Sequence, residues 1–183
     1  GNVYKTIQLA EQIWMAENLR YLPEQNFDIS STAPKYYVMF DSDIKTDLGK
    51  AYLKAYGAYY NLPAALQGET ALGEDETRNI KGVCPDGWHI PSQKEWQTLS
   101  KYVLYSGMAA IMNDGQVDET AIAKALASTT MWMLPEYTEI EPQPTWVGVE
   151  MEKNNATLFN GLPIGFRACA GDEDWMHSCY SAG

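Results

Sequence analysis

The sequence predicts an α+β domain, and three observations carry that prediction. A capping box after Pro91 opens an amphipathic helix. A second apolar stripe at helical spacing runs from Ile122 to Leu126. The remaining apolar residues fall in short extended segments split by polar loops, with no strand–helix–strand repetition. The 183 residues, 45% hydrophobic and 20% charged, hold enough apolar surface to offset chain entropy, so the chain is globular. Its length suits one domain over residues 1–183.

The elements follow in order. Val3–Leu9 and Gln12–Ala16 alternate weakly and read as a hairpin across Ala10-Glu11. That pair lacks the Gly or Asn such turns prefer. A polar connection runs from Pro23 to Pro34. Lys35–Phe40 (KYYVMF) reads as an aromatic strand, and Asp41–Lys50 as an exposed polar segment. Tyr56–Asn61 is strand-like, and Pro63 opens a short helix through Gln67. Gly68–Asn79 is acidic and loop-like. In Ser92-Gln93-Lys94-Glu95 the Ser92 hydroxyl accepts from the Glu95 amide and the Glu95 carboxylate reaches back. Trp96, Leu99, Val103 and Leu104 then share one helix face, to about Ser106. Asp114-Gly115 turns, and Asp118 is the N-cap of a helix that buries Ile122, Ala125 and Leu126. Thr129–Gln143 is irregular. Thr145–Met151 (TWVGVEM) alternates as a strand. Asn154-Asn155 turns, and Ala156–Phe159 and Ile164–Ala170 are extended.

Charge narrows the function. With 13 Lys+Arg against 24 Asp+Glu the formal net charge is −11. No basic stripe exists to neutralise phosphates, so nucleic acid is excluded as a partner. An anionic membrane surface is disfavoured for the same reason. No apolar run approaches the roughly 20 residues of a membrane helix. The aromatic share of 12%, with 6 Trp and 12 Tyr, offers amphipathic rings that serve either to anchor loops or to stack on sugars and proteins.

No phosphate loop, dinucleotide fingerprint, zinc-protease helix or nucleophile elbow is present. His89, between Trp88 and Ile90, reads as a packed histidine. His177 and Cys179 lie two residues apart with nothing to activate the thiol. Cys84, Cys169 and Cys179 allow three pairings, or three free thiols in a reducing compartment. No metal is expected from their spacing. Asp41, Asp43 and Asp47 lack the Gly and the closing carboxylate of a calcium loop, since Thr46 and Tyr52 stand there. Glu141-Pro142-Gln143 approximates the triplet with which C-type lectins hold calcium and sugar together, without the downstream partner motif. Calcium is thus conceivable at Glu141 and Gln143 but unsupported by a full motif, and no cofactor is expected. Trp132, Tyr137 and Trp146 are the loop aromatics set aside as ligand contacts, each with a packing role as its alternative. Asn155-Ala156-Thr157 is a glycosylation triplet of low specificity.

Four segments, taken together, resemble one family. They are Tyr4–Ile7 with Ile13–Tyr21 (IWMAENLRY), Tyr56–Asn61 (YGAYYN), Val83–Ser92 (VCPDGWHIPS) with Glu95-Trp96, and Phe159–Arg167 (FNGLPIGFR). Their order and wording resemble the Fibrobacter succinogenes major paralogous domain family along nearly the whole chain. The resemblance implies an exported or surface lipoprotein of a Bacteroidetes-type bacterium, anchored through a segment outside this chain. It implies a C-type-lectin-like fold, with two helices on short, mostly antiparallel strands and long loops, akin to the formylglycine-generating enzymes. Ile90–Trp96 is similar to a string of that enzyme group. Its cysteine motif is absent, so fold and not activity is carried over.

Family members usually continue past the string that ends here at Arg167. Either that final part is missing, or Gly165–Ala170 is itself the closing strand. The second reading places Cys169 opposite Cys84 and makes Cys84–Cys169 the first expected bridge, with Cys169–Cys179 second. A loop that long would contribute about 4 kcal/mol, less any strain. The expected function is a non-catalytic binding or adhesion module for a glycan or a surface or host protein. The alternatives are a structural part of a surface assembly and an enzyme on the formylglycine-generating scaffold.

Overall fold

A computed structural model describes residues 1–70, 79–111, 115–117, 119–133, 141–165, 167–168 and 180–181. The elements are β1 (Thr6–Leu9), β2 (Gln12–Met15), β3 (Tyr36–Tyr37), α1 (Asp47–Tyr56), β4 (Tyr59–Tyr60), α2 (Leu62–Leu66), α3 (Gln93–Tyr105), α4 (Glu119–Leu126), β5 (Arg167–Ala168) and β6 (Tyr180–Ser181). The three ladders β1–β2, β3–β4 and β5–β6 are two-stranded and antiparallel. This is mixed α+β, as the sequence predicts. Two compact units form. One comprises Gly1–Asn2, Asn18–Gln93 and Ile164–Gly183, and the other Val3–Glu17 and Lys94–Pro163.

The second unit holds the larger apolar core. The β1–β2 hairpin pairs Thr6 with Met15 and Leu9 with Gln12. Ala10 adopts a left-handed φ of 54° to close the turn, which is how a loop without Gly or Asn still reverses the chain. Strand alternation sends Leu9 and Trp14 inward, where they meet Leu99, Val103, Ala109, Ala121 and Ala125. Helix α3 starts directly after Ser92, where the capping box places it. Leu99 and Val103 are fully buried, but Trp96 is 42% exposed. The four-residue face is therefore narrower than its spacing predicts. The Trp96 ring leans on Trp14, with centroids 4.7 Å apart, and on Phe159 at 6.0 Å.

The first unit is organised by side-chain amides. Asn61 accepts from Lys35 N (2.9 Å) and Ala64 N (3.1 Å) through Oδ1. Its Nδ2 donates to Ser30 O (2.7 Å) and Ala33 O (2.9 Å). One side chain thus caps α2 and fixes the loop before β3. Asn26 Oδ1 accepts from Tyr36 N at 2.8 Å, and Asn26 N donates to Tyr36 O at 2.8 Å. Tyr36, Tyr37, Val38, Met39 and Ala64 are buried. Tyr59 Oη donates to Ile164 O at 2.5 Å, and burial raises its phenol above the usual value.

Two of the family-like strings lock together here. Asn18 Nδ2 donates to Tyr56 O at 2.9 Å, and Ala58 N donates to Leu19 O at 2.9 Å. Gly57 lies between them at φ +80°, where an added Cβ would stand 2.6 Å from Asn18 Cβ. Both backbone sign and space demand glycine.

Four expectations are corrected. Asp41–Lys50 is not a purely polar connection, because α1 starts within it. Thr46 Oγ1 accepts from Gly49 N at 3.0 Å and caps that helix. The fold therefore has four α-helices among the described residues rather than two principal ones and a short third. The strand at Lys35–Phe40 shrinks to Tyr36–Tyr37 before a 3-10 turn at Met39–Asp41. Thr145–Met151 and Ala156–Phe159 are turns, not strands. Leu158 takes a left-handed φ of 64°, and the carbonyls of Trp146 and Val149 are committed to a lysine instead of a neighbouring strand. The expected turn at Asp114 and cap at Asp118 lie outside the described residues.

Candidate functional site

Helix α4 carries the sequence Glu119-Thr120-Ala121-Ile122-Ala123-Lys124-Ala125-Leu126. Positions three, four and seven apart share a helix face, so Ala121, Lys124, Ala125 and Ser128 fall in register. Ala121, Ala125, Lys124 and Ser128 are indeed all buried, with Lys124 only 1% exposed. A charged group on the core side must find partners. Lys124 Nζ donates to Asn154 Oδ1 (2.8 Å), Trp146 O (3.2 Å), Glu150 O (3.4 Å) and, at the shortest separation, Val149 O. Three ammonium hydrogens shared among four oxygens match the protonated form. Burial pushes its pKa down, the Glu150 and Glu152 carboxylates pull it back up, and Lys153 lowers it.

Asn154 completes the cluster. Its Nδ2 donates to Ser128 O (2.8 Å) and Val147 O (3.0 Å). Ser128 Oγ accepts from Trp132 Nε1 at 3.1 Å. Thr120 Oγ1 donates to Thr145 Oγ1 at 2.7 Å, with Thr145 fully buried. Thr157 Oγ1 donates to Ala125 O at 2.7 Å. The stretch from Pro144 to Thr157 is therefore tied to α4 by these side chains and by two backbone bonds, from Asn155 N to Lys124 O and from Thr157 N to Ala125 O, both 3.2 Å.

The predicted ligand contacts divide accordingly. Trp132 and Trp146 are both half-buried and both attach to this cluster, Trp132 through its indole and Trp146 through its carbonyl. Glu141 is exposed. Gln143 Nε2 donates back to Glu141 O at 3.0 Å, and Gln143 O accepts from Trp146 N at 3.0 Å. Tyr137 lies outside the described residues. Among the described residues no group of three His, Cys, Asp or Glu is gathered as a metal would need. Asp43 Oδ1 accepts from Lys45 N at 2.8 Å, a local turn.

Cys84 is a half-buried free thiol. It forms no bridge in the structure, and Cys169 and Cys179 lie outside the described residues. Burial raises its pKa above 9.0, and Lys81 opposes this in part. Among the described residues no helix is long and apolar enough to cross a membrane.

Lys124, Ser128 and Asn154 were not among the residues the sequence singled out. A usable signal existed: Lys124 interrupts an Ala-rich helix face three residues after Ala121, at a core position.

The geometry of the strings that resemble one family now has an independent counterpart. A family model described as the Fibrobacter succinogenes major domain matches residues 7–182. The chain belongs to this family. The Fibrobacter succinogenes major domain is a family of uncharacterised function, and what the structure adds is a role for its wording. In this member Asn18, Gly57 and Asn61 hold backbone in place. No curated protein and no solved structure gives a significant match.

Proposed function

We propose that the chain is a non-catalytic binding module of an exported surface protein, with a C-type-lectin-like fold, and that its ligand is a glycan met by Trp132 and Trp146. The observation that carries this reading is the attachment of both residues to one buried polar cluster, Trp132 through its indole Nε1 and Trp146 through its main-chain carbonyl. A ring held by a hydrogen bond, as Trp132 is, or carried on a fixed backbone, as Trp146 is, presents its face with little ordering cost on binding. Half-burial leaves part of each ring accessible, and stacking on a sugar's C–H face uses such surfaces. Glu141, Glu150 and Glu152 are exposed nearby in the chain. With the net charge of −11, they favour an uncharged glycan over an anionic one. The family resemblance supports the surface location and an anchor outside this chain. Burial of Cys84 keeps that thiol protonated, the opposite of what a nucleophilic cysteine requires.

The test is a glycan and matrix-protein array, run with calcium and with chelator. The expected result is a glycan signal indifferent to chelator, because stacking on Trp132 and Trp146 needs no metal. The signal falls tenfold or more in Trp146→Ala or Trp132→Ala while the melting temperature holds. A signal abolished by chelator moves the site to Glu141-Pro142-Gln143. A signal on proteins alone replaces the glycan with a protein epitope. Silence across the array overturns the reading in favour of a structural part of a surface assembly.

A further inference from the structure

The oxygens around Lys124 make up a coordination set of their own. Three main-chain carbonyls, from Trp146, Val149 and Glu150, and the Asn154 side-chain oxygen converge on one point. Carbonyl dipoles aimed at one another repel, and the point on which they converge is buried, with Lys124 1% and Asn154 6% exposed, so water screens them weakly there. Trp146 O and Glu150 O each also accept a turn bond, from Val149 N (3.0 Å) and Lys153 N (2.8 Å), and a positive charge at the centre engages the lone pairs left over, as potassium does in carbonyl rings. Here the charge arrives on a side chain. Asn154 is oriented for this by its two donated bonds, to Ser128 O and Val147 O, which turn its oxygen toward Lys124. The oxygens with normal hydrogen-bond separations lie 2.8–3.4 Å from Nζ. That spacing suits an ammonium or a large monovalent ion. Calcium, at about 2.3–2.6 Å, and magnesium, at about 2.0–2.1 Å, need a tighter cage.

We propose that residues 146–154 form a monovalent-cation cradle whose resident cation is the chain's own Lys124 ammonium. The tether raises the local cation concentration so far that no free ion competes. Removing the side chain exposes the cradle, which then takes ammonium or potassium from solution. The inference stands apart from any ligand of the module, since its readout is the folded chain alone.

The test compares wild type, Lys124→Ala and Lys124→Met by thermal unfolding at one ionic strength. The salts are tetramethylammonium, sodium, potassium, ammonium and methylammonium chloride. Breaking a buried charged partnership lowers the melting temperature by about 10 °C in a chain of this size. In tetramethylammonium, which is too large to enter, both variants show that loss. Lys124→Ala recovers at least half of it, saturably, in ammonium, methylammonium or potassium. Lys124→Met, whose stem fills the space, recovers nothing, and wild type is indifferent to the salt. Lys124→Met melting with wild type overturns the proposal, as does Lys124→Ala melting alike in every salt. Should Lys124→Ala fail to fold, nitrogen-15 NMR of the wild-type ammonium groups decides. A lysine NH3+ with slowly exchanging protons at neutral pH is expected, and exchange as fast as in free lysine for every lysine overturns the cradle.

Discussion

Replacing Asn61 by alanine removes four hydrogen bonds at once, and the structure allows the loss to be worked out. The bond from Ala64 N is an N-cap, worth about 1 kcal/mol. The bond from Lys35 N and the two donated to Ser30 O and Ala33 O each contribute about 1 kcal/mol net. Ala33 is exposed, so water replaces part of its bond, and the total comes to about 3 kcal/mol. A serine at this position restores the cap and nothing else, recovering about 1 kcal/mol. Urea unfolding followed by circular dichroism reads this directly. With a slope of about 2 kcal/mol per molar, the midpoint of Asn61→Ala falls by about 1.5 M and that of Asn61→Ser by about 1 M. An alanine variant within about 0.3 M of wild type refutes the claim that one amide holds both α2 and the loop before β3. A serine variant no better than alanine refutes the cap.

Other outcomes follow from the same structure. Gly57→Ala places a Cβ 2.6 Å from Asn18 Cβ at a φ that L-residues avoid, and loses about 2–4 kcal/mol by urea unfolding. Cys84, with its thiol pKa raised by burial, alkylates more slowly than an unfolded control at pH 8, and peptide-resolved mass spectrometry shows the rate still climbing above pH 9. Asp28 is held below the usual carboxylate value of 3.8 by the Lys35 ammonium 2.6 Å away. The pair's small contribution is therefore complete above that value and lost as pH falls through the lower folded pKa. Asp28→Asn removes this acid limb from the pH–stability profile and leaves the profile near neutrality almost flat.

What the sequence made legible was local. Ser92–Glu95 marks the start of α3 because a capping box acts within one turn, and Val3–Ala16 reads as a hairpin because both strands are adjacent. Helix α1 was hidden by Asp47 and Gly49, which resemble loop residues until Thr46 caps them. Thr145–Met151 alternates like a strand, yet its carbonyls serve Lys124, a partner more than 20 residues away whose burial no local pattern announces. Trp132 and Trp146 were legible as loop aromatics. What they attach to was not, because Ser128 and Asn154 look like ordinary polar residues until the fold brings them together.

The hairpin that begins the second unit has a consequence for how the chain is made. Leu9 and Trp14 are packed against Leu99 and Val103, which the ribosome adds some 90 residues later. At about 5–20 residues per second, the two side chains wait several seconds for their partners while the whole of Asn18–Gln93 emerges between them. Contacts of such long sequence separation also close slowly. Until then the apolar side chains of the hairpin stay uncovered, and any stop before residue 94 leaves Trp14 with no helix to cover it.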